Sequence, residues 1–209
     1  MPVNAKVYPL SRRFKRLSLL GYLSFNPVEQ LHELQQVTTQ IPDNQVLFNQ
    51  TLTKPNLLNS LKTAPASVVH LATHGEFGAT VEDTFIVTWD GKLTMEEMSQ
   101  VLQARNRSDL SPVELLVFSA CKTASGDSRA VLGIAGTAIR SGVRSTLAGL
   151  WAINDQAAAA FMTEFYKALA QPDTTKAEAF RQAQLALMQD PQLASPYFWS
   201  PFVLVGNWL

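Results

Sequence analysis

Residues 114–119 read Glu114-Leu115-Leu116-Val117-Phe118-Ser119, and this run decides the fold. Consecutive large apolar residues without alternation are typical of a strand that is buried on both faces of a parallel sheet. A second apolar run, over residues 67–72, has the same character, and short β-rich runs alternate with helical patterns from residue 28 onwards. We therefore predict an α/β protein, a three-layer α/β/α sandwich around a mostly parallel central sheet.

Turn and capping residues mark the boundaries of several predicted elements. Asp90-Gly91 directly follows a β-rich run and predicts a tight hairpin turn. Two pairs have the spacing of a capping box, in which a hydroxyl and a carboxylate satisfy each other's backbone N–H groups. They are Thr94 with Glu97 and Thr175 with Glu178. Each pair predicts the first turn of a helix.

The composition excludes several classes of protein. The chain has 209 residues, of which 46% are hydrophobic, and this apolar content excludes an intrinsically disordered chain. Its single cysteine, Cys121, excludes a disulfide framework, a cysteine-rich zinc site and an iron–sulfur cluster. We expect no metal and no cofactor. No uncharged apolar run reaches the roughly 18 residues that a membrane span requires, so we expect no membrane span.

The first 25 residues differ from the rest of the chain in charge. Lys+Arg and Asp+Glu each number 17, but this segment is purely basic, with Lys6, Arg12, Arg13, Lys15 and Arg16. The remainder is therefore acidic on balance, which does not predict binding to nucleic acid. The apolar residues 17–25 resemble part of a signal peptide, but no A-x-A-like cleavage site follows, so we expect a cytoplasmic protein. We assign residues 1–27 to a basic N-terminal extension and residues 28–209 to the domain.

Two strands of the predicted sheet end beside residues that can carry chemistry. The run at 67–72 leads to His74 and Gly75, and the run at 114–119 leads to Cys121. If the strands are parallel neighbours, these residues emerge at one edge, where open α/β sheets place their working groups. A thiol beside an imidazole is the minimal unit of nucleophilic catalysis by cysteine. The backbone N–H groups of Gly75 and Cys121 would then be candidates for an oxyanion hole.

Less specific interpretations fit the same residues. A lone cysteine at a strand end is more often a buried, inert thiol. A lone histidine is more often a hydrogen-bonded structural residue, and His70, inside the apolar run, is predicted to be one. A redox-sensing thiol would need a resolving cysteine, and Cys121 is the single cysteine of the chain.

Several segments taken together resemble one family. They read HLATHG at 70–75, DGKLT at 90–94, SACKTA at 119–124, LWAIND at 150–155, and PYFW followed by FVLVG at 196–206. In this order they resemble the CHAT family, which comprises caspase-like cysteine peptidases found with tetratricopeptide repeats. The family is similar to separases and, more distantly, to caspases. The resemblance covers roughly residues 28–209.

The resemblance implies a caspase-like fold and a cysteine endopeptidase with Cys121 as nucleophile and His74 as its partner. In separases, the segment similar to residues 151–155 supplies an acidic side chain that binds a basic P1 residue. Asp155 is therefore implied as the floor of an S1 pocket, and Asp83 and Glu82 are weaker candidates for the same role. Asp155 also fits the N-cap of the helix that follows it.

The resemblance also bears on partners. It implies a protein or peptide substrate. Family members usually carry upstream repeats that recognise substrates or restrain the peptidase, and no segment of this chain matches them. We therefore expect a repeat-containing regulatory protein to act in their place. The alternative interpretation is a non-catalytic or latent caspase-like interaction module that needs a partner.

Overall fold

A mostly parallel sheet forms the centre of the molecule. The computed structural model describes residues 17–21, 37–38, 44–76, 83–119, 128–151 and 153–209. Within them, six strands form one sheet: β1 (Leu17–Gly21), β2 (Asn44–Phe48), β3 (Val68–Ala72), β7 (Leu115–Phe118), β8 (Ser145–Gly149) and β9 (Phe202–Gly206). Their order is β2-β1-β3-β7-β8-β9. The first five strands are parallel, and β9 is antiparallel to β8, so the predicted sheet type is confirmed.

Helices cover both faces of this sheet. Packed on one face are α1 (Lys54–Thr63), α2 (Met95–Asn106) and α3 (Ser128–Arg140), and on the other are α4 (Asp155–Leu169), α5 (Lys176–Gln189) and the short α6 (Pro196–Trp199). Successive side chains of β3 point alternately to the two layers, which is the geometry of a strand buried on both faces. The predicted three-layer sandwich is confirmed. No helix within the described ranges is both long and apolar enough to cross a membrane.

A small second sheet continues from the end of β3. It consists of β4 (Gly75–Glu76), β5 (Phe85–Thr88) and β6 (Gly91–Thr94), which are antiparallel. In the turn between β5 and β6, Asp90 Oδ1 accepts hydrogen bonds from the backbone N–H of Lys54 (2.8 Å) and from the hydroxyl of Thr88 (2.9 Å). The bond from Lys54 is the main cause that holds the pKa of Asp90 below its usual range, and the bond from Thr88 adds to it. The small sheet is thereby attached to the first turn of α1.

The capping predictions are confirmed for one helix and half confirmed for the other. At α2, Thr94 Oγ1 accepts from the Glu97 N–H, and a Glu97 carboxylate oxygen accepts from the Thr94 N–H. At α5, Thr175 caps the helix, but the Glu178 carboxylate accepts from the Arg181 guanidinium instead of returning a bond to Thr175. A two-pronged, charge-assisted bond is stronger than a bond from a neutral backbone N–H, which explains the difference.

The segment that we assigned to the basic extension contributes a strand to the sheet. β1 pairs with β2 on one side and with β3 on the other, and Leu19 lies opposite both Val46 and His70. The apolar stretch that follows the basic residues is therefore a strand with hydrogen-bonded neighbours on both sides. The division that we drew between residues 27 and 28 does not coincide with an edge of the sheet.

Candidate active site

The carboxyl ends of β3, β7 and β8 lie side by side at one edge of the central sheet. The register places Leu71 opposite Phe118 and Phe118 opposite Ala148. The backbone N–H of Ser119 also donates to the Leu71 carbonyl over 3.1 Å. Because the three strands are parallel, the chain leaves the sheet at this edge after each of them. The parallel neighbours that the Cys121–His74 hypothesis requires are thus present.

Cys121 itself lies outside the described residues, and so does Glu82. The last described residue before Cys121 is Ser119, which is buried directly after β7. The structure therefore describes the strand that leads to the predicted nucleophile and the position of His74, at the end of the neighbouring strand.

His74 lies where the central sheet passes into the small sheet, between β3 and β4, and is half-buried. Its carbonyl accepts a hydrogen bond from the Val87 N–H at 2.7 Å. The neighbouring hydroxyl of Thr73 donates to the Val87 carbonyl, also at 2.7 Å. The backbone that carries the imidazole is therefore held by β5 from two consecutive residues.

The backbone N–H of Gly75, a predicted oxyanion donor, points away from β5. A trans peptide is planar, with its C=O and N–H directed oppositely. Since the His74 carbonyl is bonded to Val87 on β5, the Gly75 N–H of the same peptide unit faces the other way. A Cβ at Gly75 would lie 2.9 Å from the Phe85 carbonyl oxygen, so glycine permits this approach of β5. The Gly75 N–H therefore takes no part in the hydrogen bonds between β4 and β5.

Asp155 is the first residue of α4, and it does not cap that helix. The cap is Asn154, whose Oδ1 accepts from the Ala157 N–H at 3.1 Å. The N-cap interpretation of Asp155 is therefore wrong. The Asp155 side chain is half-buried, and its carboxylate is bonded to no donor in the part of the chain that the structure describes. The weaker candidate, Asp83, is exposed and lies just before β5.

The model of the CHAT domain family matches residues 12–207. The chain belongs to the CHAT domain family. No curated protein shows a significant match to it.

Solved structures of cysteine proteinases share the fold of this CHAT domain. One is the crystal structure of the Arg specific cysteine proteinase gingipain R (RgpB), with a TM-score of 0.61 and 10% identity over 94% of this chain and 47% of that one. Another is the complex of the Porphyromonas gingivalis RgpB pro- and mature domains, with the same TM-score, identity and coverage of this chain and 48% of the other. This CHAT domain therefore has a caspase-like fold and spans about half the length of these chains.

Trp151 adds a polar group to the CHAT domain's sheet edge. It lies between β8 and Asp155, and its Nε1 is buried with no hydrogen-bond partner among the described residues. Buried polar groups are paired in the great majority of cases. Within the described residues, the indole N–H of Trp151 is one of the exceptions.

His70 is a core histidine, as predicted, because its side chain is completely buried. Its partners were not predicted: Nε2 lies 3.2 Å from the Ser119 hydroxyl and Nδ1 lies 3.0 Å from the Tyr166 hydroxyl. Both partners are distant in sequence. The sequence contains only a weak signal for these partners. Ser119 is a polar residue at the end of the apolar run 114–119, and Tyr166 lies on the apolar side of the helical pattern that became α4.

Proposed function

We propose that this CHAT domain is a cysteine endopeptidase that uses Cys121 and His74. The observation that carries the proposal is the parallel pairing of β3 with β7, with Leu71 opposite Phe118. His74 follows the first strand closely. Cys121 is two residues beyond Ser119, and two residues span at most about 7 Å, so the thiol is expected near the imidazole.

The proposed reaction follows from these groups. The Cys121 thiolate attacks the scissile carbonyl carbon, and the carbonyl oxygen becomes an oxyanion. The backbone N–H groups of Gly75 and Cys121 stabilise that charge. His74 gives its proton to the leaving amine, so that the C–N bond breaks and an acyl-enzyme remains. Water, losing a proton to His74, then attacks the acyl-enzyme, and the thiolate leaves with release of the carboxylic acid product.

We propose that the enzyme prefers substrates with a basic P1 residue and that Asp155 binds the side chain of this residue. Support comes from the half-buried Asp155 carboxylate, which capping does not use and which follows β8 at the same sheet edge. A P1 guanidinium can form two parallel charge-assisted hydrogen bonds to such a carboxylate. RgpB, which shares the fold, is described as Arg specific.

The nucleophile is tested with peptidyl electrophiles that differ only at P1, carrying Arg or Asp. We expect the Arg reagent to modify Cys121, which mass spectrometry identifies, and the Asp reagent to react far more slowly. Cys121→Ala should abolish cleavage of an Arg-P1 peptide while circular dichroism stays unchanged. Cleavage that survives in Cys121→Ala would overturn the proposal.

His74→Ala separates the peptidase from the alternative. In a peptidase, this variant should lose at least about 100-fold in kcat because the general acid and base is gone. If instead the wild-type thiol reacts like a free cysteine, and His74→Ala leaves its reaction rate unchanged, the domain is a latent or non-catalytic interaction module.

The P1 preference is tested with Asp155→Asn. Loss of the charge should reduce kcat/KM for an Arg-P1 peptide by about 30-fold, the worth of a hydrogen bond to a charged group. Asp83→Asn, at the weaker candidate, should leave kcat/KM unchanged. Asn154→Ala should lower the unfolding free energy by about 1 kcal/mol through loss of the cap, without changing the preference. An Arg preference that persists in Asp155→Asn would remove this residue from the pocket.

A further inference from the structure

One buried imidazole joins three elements of the fold. His70 belongs to β3, its Nε2 contacts the Ser119 hydroxyl directly after β7, and its Nδ1 contacts the Tyr166 hydroxyl on α4. The rings of His70 and Tyr166 also touch, with centroids 5.7 Å apart. Hydroxyl groups both donate and accept, so either tautomer of the imidazole is satisfied by these partners.

Each of these three elements leads to a different residue of the proposed site. β3 ends just before His74, Ser119 is two residues before Cys121, and α4 begins at Asp155. The side chains of His70, Ser119 and Tyr166 are all at most 1% exposed, so water does not compete for their hydrogen bonds. The relative positions of the three elements are therefore fixed by polar contacts in the core as well as by apolar packing, which has less directional preference.

We propose that His70 is a positioning residue for the active site: through Ser119 and Tyr166, it fixes the elements that carry Cys121, His74 and Asp155 relative to one another. This inference rests on the proposed function, because the distances that it fixes matter for the reaction only if Cys121 and His74 act together. His70 itself touches no substrate. Small misplacements of reacting groups are costly for rate, so loosening this network should lower kcat more than it lowers stability.

The test removes single oxygen atoms from the two partners and leaves the imidazole in place. Ser119→Ala and Tyr166→Phe should each lower kcat by about tenfold for an Arg-P1 peptide, with KM within twofold of wild type. Because both act through one ring, the double variant should lose less than the product of the two single losses. Independent, fully multiplicative losses would show that no shared network exists.

Ser145→Ala is the matched control. Ser145 is also fully buried and donates a hydrogen bond, to the Glu114 carbonyl, but it lies at the opposite, amino edge of the sheet. It should change the melting temperature as much as Ser119→Ala does and leave kcat at the wild-type value. If Ser119→Ala and Tyr166→Phe also leave kcat unchanged, the network is only structural and the proposal is overturned.

A second readout separates this inference from the proposed function. Cys121 is the only cysteine of the chain, so alkylation by iodoacetamide reports on one site. Ser119→Ala and Tyr166→Phe should slow alkylation at least about threefold at neutral pH, because a displaced thiol is less activated by its surroundings. Ser145→Ala should react like wild type. If the wild type cleaves no peptide but these rates still differ, the proposed function fails and the positioning network stands. Equal rates in all four proteins would overturn the network itself.

Discussion

At Gly75, a single hydrogen atom in place of a side chain lets the small sheet continue from the central one. The Phe85 carbonyl oxygen occupies the space that a Cβ would need, at 2.9 Å. The same peptide unit presents the N–H that we assign to the oxyanion hole. A substitution here is therefore expected to affect packing and chemistry together.

Gly75→Ala should lower the unfolding free energy by about 1–3 kcal/mol, the usual cost of overpacking. It should also lower kcat, because β5 or the peptide unit between His74 and Gly75 must shift. Equilibrium urea unfolding measures the first effect and peptide cleavage the second. The control is Gly133→Ala in α3, where a Cβ would meet no described atom within 4 Å. That change should raise stability by about 0.5–1 kcal/mol through the higher helix propensity of alanine. A Gly75→Ala protein as stable as wild type would show that β5 can shift to accommodate the Cβ without a loss of unfolding free energy.

The positions of hydrogen-bond partners at the residue scale were only partly predictable. His70 is recognisable as a core residue because apolar neighbours surround it in sequence. Its bonds to Ser119 and Tyr166 depend on tertiary packing, which no local pattern encodes. Asn154 and Asp155 are adjacent and both are good capping residues, so the sequence does not decide which one caps α4.

At the scale of elements, a buried arginine ties α2 to the connection that leads into β3. Arg105 is 2% exposed, and its guanidinium donates to the carbonyls of Leu61, Ala64, Ala66 and Ser111 at 2.7–3.0 Å. Leu61 is in the last turn of α1, where carbonyls lack partners within the helix. Burial lowers the pKa of Arg105, but an arginine remains protonated at neutral pH. The side chain therefore replaces missing helix partners and holds the start of β3.

Arg105→Ala should lower the unfolding free energy by about 3 kcal/mol, because buried carbonyls lose their donors. Arg105→Lys should recover only part of the loss, since an ammonium group cannot copy the planar arrangement of guanidinium donors. Both are measured by urea unfolding. The control is Arg107→Ala, at an exposed position directly after α2. Its unfolding free energy should stay within about 0.5 kcal/mol of wild type. A similar small change for Arg105→Ala would mean that water replaces the guanidinium.

Element positions followed well from local chemistry. Thr94, Glu97 and the Asp90-Gly91 turn act on neighbouring residues, so their effects are encoded within a few positions. In the second capping box, Thr175 caps the helix but the Glu178 carboxylate does not bond back to Thr175. Arg181, one turn further along, offers that carboxylate a stronger bond. A motif therefore predicts where a helix begins more reliably than it predicts each bond at that end.

At the scale of the whole molecule, the central sheet depends on residues near the beginning of the chain. β1 lies between β2 and β3, so its removal would detach β2 from the sheet and leave β3 paired only with β7. The sequence did not predict this role. Residues 17–21 have no period that identifies a strand, and their partners are more than 20 residues away.

Deletion of residues 1–21 should abolish wild-type-like cooperative unfolding, because β2 loses its partner and β3 becomes an edge strand with unpaired backbone groups. Deletion of residues 1–11, which precede the family match at 12–207, should preserve it. Urea unfolding followed by tryptophan fluorescence distinguishes the two, with a reduced m-value expected for the longer deletion. A sharp, wild-type-like transition after loss of residues 1–21 would show that β2 and β3 can close the gap.

The position of β1 between β2 and β3 also sets the order in which the molecule can assemble during synthesis. β1 leaves the ribosome before either of its neighbours, and its pairing with β3 must wait until residue 72 has been translated. Parallel strands that are distant in sequence pair slowly, because the intervening chain must lose conformational entropy before any stabilising contacts form. A nascent chain that ends before β3 therefore carries an apolar strand without its second neighbour, which is the kind of segment that molecular chaperones bind.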